Sequence, residues 1–147
     1  LSMAITTAMC SSFKQELLGG VHDLDTHTLK IALIKASPSG TYGAATTNYS
    51  NVTGNSDEAT GTNYSAGGQN LDGATIALSG TTAFLDFTDE VFSTVTTSAD
   101  GCIIYNSSAS NKAIAVFDFG GTVSATAGDF TIQFPTANAS NAIIRIA

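Results

Sequence analysis

Over residues 12–18 the apolar positions follow a helical period: Phe13, Leu17 and Leu18 fall at i, i+4 and i+5 and make one apolar side. Ser12 suits the start of this helix, with Gln15 three positions on as a capping-box partner, and Gly19-Gly20 suits its end. A helix this short must dock its apolar side on something else. Downstream the period drops to two. Thr28 to Lys35 places Leu29, Ile31 and Leu33 on one face and Lys30, Ala32 and Ile34 on the other, which predicts a strand. Further strands are predicted over 69–78, 81–87 and 91–97, with Asp89-Glu90 marking the break between the last two. Residues 101–105 and 112–119 predict a hairpin around the turn cluster Asn106 to Asn111. Asp129 to Phe134 alternates cleanly, with Phe130, Ile132 and Phe134 on one side, and 142–147 predicts the last strand.

About eight short strands with one N-terminal helix and no regular strand-helix alternation argue against a parallel α/β sheet. The expected fold is mainly β: an antiparallel β-sandwich, with a jelly-roll-like form among its variants, plus the short helix. The 147 residues suit one domain spanning 1–147. Residues 36–68 interrupt the pattern as a long polar loop or arm with almost no aliphatic residues. The loop holds three of the four tyrosines, Tyr42, Tyr49 and Tyr64. Such a loop is expected to bind, to order against a partner, or to stay a mobile surface loop.

Charge narrows the function classes. The net charge is −7, and the cations Lys14, Lys30, Lys35, Lys112 and Arg145 are scattered. A nucleic-acid partner needs clustered positive charge, so none is expected. No apolar run reaches the roughly 20 residues of a membrane-spanning helix, so no membrane partner is expected either. Threonine and serine replace the missing charge, leaving a surface with little self-repulsion that suits close packing against neighbours. Met3 reads as a start, and no basic segment followed by an apolar run marks a secretory signal. Cys10 and Cys102 lack a CxxC spacing and are expected as buried free thiols, pairing only if the fold brings them together.

Candidate chemistry is sparse. His22-Asp23-Leu24-Asp25-Thr26-His27 holds possible metal ligands, but its spacing fits no established site and suits a turn better. Asp86, Asp89 and Glu90 would suit calcium or, more simply, a solvated turn. There is no GxSxG elbow, and Gly120-Gly121 lacks the lysine and helix of a phosphate loop. No catalytic, cofactor-binding or metal residue is therefore assigned, no cofactor is expected, and the chain is read as not an enzyme.

Five segments resemble a group of small virion structural proteins of tailed bacteriophages. They are Met3 to Asp23 (MAITTAMCSSFKQELLGGVHD), Thr28 to Lys35, Thr62 to Leu71 (TNYSAGGQNL), Thr82 to Phe87 (TAFLDF) and Gly128 to Ala147. They run the length of the chain in order. The resemblance implies a non-enzymatic part of the virion, above all a capsid decoration or cement protein. Such a protein would be made in the host cytoplasm, placed on the capsid exterior and bound to the major capsid protein, with self-association on the particle. A tail tube, terminator or fibre component is the alternative within that class. Outside it, exposed tyrosines on a sandwich would suit a carbohydrate-binding module. The partner contacts expected for the capsid role are Met3, Ile5 and Met9 near the N-terminus, and Tyr42, Tyr49 and Tyr64 in the long loop.

Overall fold

The computed structural model describes residues 4–147 and is mainly β. A short strand β1 (Ala8–Met9) precedes helix α1 (Ser11–Leu18). Then come β2 (Leu29–Lys35), a short helix α2 (Ser50–Gly54), β3 (Gln69–Asn70), β4 (Thr75–Ser79) and β5 (Thr82–Asp86). Two long strands, β6 (Glu90–Asn106) and β7 (Lys112–Ile132), are followed by β8 (Ile144–Ile146). They make a five-stranded sheet in the order β1-β7-β6-β2-β3 and a three-stranded sheet in the order β4-β5-β8, with all strand pairs antiparallel. The expected class, mainly β with antiparallel sheets in a sandwich-like arrangement and a short N-terminal helix, is the observed one, while α2 lies inside the segment expected as a polar loop.

Element limits differ from the sequence expectation where irregularities are absorbed rather than terminating a strand. Residues 91–97 and 101–105 belong to one strand, as do 112–119 and 129–132, while Gln133 and Phe134 of the expected last segment lie beyond its end. Asp118 pairs with Gly101 and Val123 with Ala99, so Phe119–Thr122 bulge opposite Asp100 alone. Thr122 Oγ1 donates to Asp100 Oδ1 across the bulge at 2.5 Å. The expected strand over 69–78 divides instead into β3 and β4. The hairpin turn lies where it was expected. Asn106 Oδ1 accepts from the Ser108 and Ala109 amides, and Ser110 and Asn111 take left-handed φ values of 54° and 59°. Ser12 is not the helix cap: Cys10 holds that position without a side-chain cap, and Ser12 lies inside the first turn.

Ile31–Ile34, Gly101–Asn106 and Ala113–Val116 are buried without alternation. Successive strand residues point to opposite faces, so both faces of the large sheet are covered over this part, while β6 exposes residues between buried ones over 91–96 and β7 is largely exposed over 120–129. Phe13 from α1, Leu85 and Ile144 from the small sheet, and Tyr42, Val52 and Ala59 from the 36–68 segment join the same core. That segment is therefore fastened, not free. The Lys35 amide donates to Asp57 O, the Ala59 amide to Leu33 O and the Ala113 amide to Thr47 O. At Gly68 (φ +72°) a Cβ would stand 1.8 Å from Ile31 O, and at Gly61 (φ +147°) 1.8 Å from Thr96 O. Only glycine lets the segment approach the sheet backbone this closely.

Candidate functional site

The histidines the sequence offered for chemistry are held by Asn106 and Glu16, whereas of the acidic group at 86–90 Asp89 Oδ1 accepts from the Phe134 amide and Asp86 Oδ1 is buried without a hydrogen-bond partner. Asn106 Nδ2 donates to His22 Nδ1 at 3.0 Å and to His27 Nδ1 at 2.9 Å, with ring tautomers assigned from this network. His22 then donates through Nε2 to Glu16 Oε2 at 2.8 Å, and Lys112 Nζ donates to Glu16 Oε1 at 3.1 Å. Asp23 Oδ1 accepts from the Asp25 and Thr26 amides, which makes the 22–27 segment a closed turn. Among the described residues, no three His, Cys, Asp or Glu side chains are grouped to hold a metal ion. Cys10 and Cys102 are both buried and unpaired, and burial, aided by Glu16, raises the Cys10 thiol to about 11.

The long segment spends its tyrosines internally. Tyr42 is buried, and its hydroxyl donates to Asp57 Oδ2 at 2.6 Å. Asp57 also accepts from the Ser39 and Gly40 amides and pairs with Lys35 Nζ at 3.0 Å. Tyr49 stacks on Tyr105 at 4.4 Å and its hydroxyl donates to Glu58. Tyr64 stacks on Phe92, donates to Glu58 Oε1 at 2.9 Å and accepts from the Leu33 amide. These rings staple the segment to the sheet and leave no exposed aromatic platform among them. Ile5 is also buried, bridged to Tyr42, while Met9 is half-buried. Ile5 and Tyr42, expected as partner contacts, are core residues here. Met3 lies outside the described residues.

The most exposed large aliphatic side chains lie on the small sheet and α1. In the small sheet Ile76 pairs with Leu85, Leu78 with Ala83, Ala83 with Ile146 and Leu85 with Ile144. Directly opposed residues share a face, so one whole face of this sheet is aliphatic. Half of that face is covered: Leu85 and Ile144 are buried and line a small cavity of about 70 Å3 with Leu17 and Leu24. The other half is bare. Ile76 is 52% exposed, Leu78 71% and Ile146 55%, and Leu18 on the adjoining helix is 92% exposed. Beside them a groove of about 440 Å3 runs between α1 and β8, lined by Met9, Lys14, Leu17, Leu18, Ile144, Arg145 and Ile146.

These exposed aliphatic side chains form the candidate docking surface of the chain. Sequence reasoning missed Leu18, Ile76, Leu78 and Ile146 as functional candidates. The alternation in β4 and β8 was the available signal, but alternation predicts an apolar face without saying whether the rest of the chain covers it. Compared with family models, with curated proteins and with solved structures, the chain matches none.

Proposed function

We propose that this chain is a non-enzymatic structural protein of a bacteriophage virion, a capsid decoration protein that binds the assembled shell of major capsid protein from outside. The observation that carries the docking half of this reading is the bare aliphatic face of Leu18, Ile76, Leu78 and Ile146. The capsid half rests on the resemblance of the five segments to virion proteins. The acidic, charge-poor surface agrees with a role against protein and away from DNA. A protein that binds the assembled shell and not its loose subunits stabilises the shell by mass action, so many modest contacts suffice.

Cryo-EM of the intact particle tests this reading. It expects density for the chain on the head surface with the small sheet facing the shell. Density confined to the tail, or a particle without the chain, overturns it.

A further inference from the structure

Ile144, Arg145 and Ile146 are consecutive in β8, so Ile144 and Ile146 point to one face of the sheet and Arg145 to the other. Yet all three line the groove beside α1. A groove lined by three consecutive residues of one strand follows that strand's edge, and Arg145 Nε donates to Ala139 O at 2.7 Å beside it. That edge is free: β8 ends the order β4-β5-β8, and no neighbour pairs with its outer side among the described residues. No proline or bulge blunts it.

The groove also has a charge character. Lys14 and Arg145, two of only five cations in a chain of net charge −7, lie along it, and no carboxylate does. We propose that this groove receives an extended, carboxylate-bearing segment of another protein, added to β8 as a fourth strand of the small sheet.

The required pattern of that segment follows from the period of a strand. Its residues on the Ile144 and Ile146 side meet aliphatic surface continuous with Leu17 and Leu18, and must be aliphatic. Its alternate residues stand on the Arg145 side and must be Asp or Glu. Backbone hydrogen bonds to the free edge supply affinity, and the alternating side chains supply selectivity. A second copy of this chain is the poorer occupant. Symmetric pairing of β8 with β8 would bring two Lys14 and two Arg145 to one seam, and like charges in an interface are unfavourable. This inference rests on the reading of the aliphatic face as a docking surface and names the chemistry of what docks.

The test uses the full chain and a capped, fluorescein-labelled peptide of alternating valine and aspartate, about eight residues long. Controls are valine/lysine and serine/aspartate peptides of the same length. Fluorescence anisotropy should find the valine/aspartate peptide bound at least about tenfold more tightly than either control at low salt. The double variant Lys14→Glu/Arg145→Glu should reverse the preference toward valine/lysine. At saturation, amide exchange by NMR should slow at β8. Equal binding of the acidic and basic peptides, or unchanged exchange across 144–146, overturns the proposal. So does a dilution-sensitive dimer of the free chain whose β8 amides are already protected, because the second copy is then the occupant. Loss of shell binding in Leu78→Asp together with peptide failure sinks this inference and leaves the decoration role standing. Undiminished shell binding in both variants removes the aliphatic face and the groove from the docking role, whereas failure of the wild-type chain to bind shells sinks the decoration role itself.

Discussion

Asp57 shows how single residues hold the long segment in place. Its side chain is fully buried. Burial alone would raise its pKa, but hydrogen bonds from Tyr42, the Ser39 and Gly40 amides and Lys35 outweigh it and hold the carboxyl well below its usual range. A depressed folded-state pKa contributes stability that is complete above the unfolded value of 3.8 and is lost as pH falls toward the folded one. Asp57→Asn should therefore cost about 3 kcal/mol in urea unfolding at neutral pH, with the difference from wild type shrinking below about pH 4. The four tyrosines work in the opposite direction. Burial, with Asp57 adding for Tyr42 and Glu58 for Tyr105, raises both to about 12, and Tyr49 and Tyr64 lie higher still for the same kind of reason. A raised pKa gives stability present below the unfolded value of 10 and lost as pH climbs through the folded one. Absorbance titration at the tyrosinate band should show almost no ionisation at pH 10. A steep alkaline step above it should coincide with loss of the circular dichroism signal. A gradual titration centred on pH 10 would mean the rings are not held as described.

Elements depend on where they dock more than on their own propensity. Helix α1 has no side-chain cap and buries only Phe13. Phe13→Ala should cost about 3–5 kcal/mol in denaturant unfolding, whereas Leu18→Ser on the same helix should change stability by no more than about 0.5 kcal/mol. The 36–68 segment is likewise an element made by contacts. Gly68→Ala places a Cβ against Ile31 O and strains a positive φ. It should lower the thermal midpoint by several degrees and speed proteolysis within 36–68. The helix, the strand at 29–35 and the hairpin turn at 106–111 were legible in the sequence because each carries its own signal: a helical period, an apolar run of strand length, and Asn and Ser residues able to satisfy turn amides. The union of 91–97 with 101–105 was not legible. It depends on a bulge in the partner strand, which local periodicity does not encode. The fastening of 36–68 was hidden for a related reason, because its tyrosines and glycines look the same in a mobile loop as in a stapled one.

At the scale of the whole molecule, polar chemistry is turned inward and aliphatic surface outward over one face of the small sheet. The internal networks at Glu16, Asp57 and Glu58 fix the fold, while Leu18, Ile76, Leu78 and Ile146 stay bare. Leu78→Asp separates these roles. It should leave the thermal midpoint within a few degrees of wild type, because an exposed side chain contributes little to folding. Binding to assembled shells, followed by co-sedimentation, should fall to background. A variant that unfolds would show that Leu78 serves the core, and one that binds normally would remove the face from the docking role.

The sequence alone determined the class of fold, the antiparallel strands, the helix and the turns. Those follow from side-chain period and local hydrogen bonding, which act between residues close in the chain. Only the tertiary structure decided that Tyr42 and Ile5 are buried, that the long segment is stapled, and that one aliphatic face is covered by α1 over half its extent and bare over the rest. Burial is a property of what lies opposite a residue in space, and for this chain those opposing residues are tens of positions away.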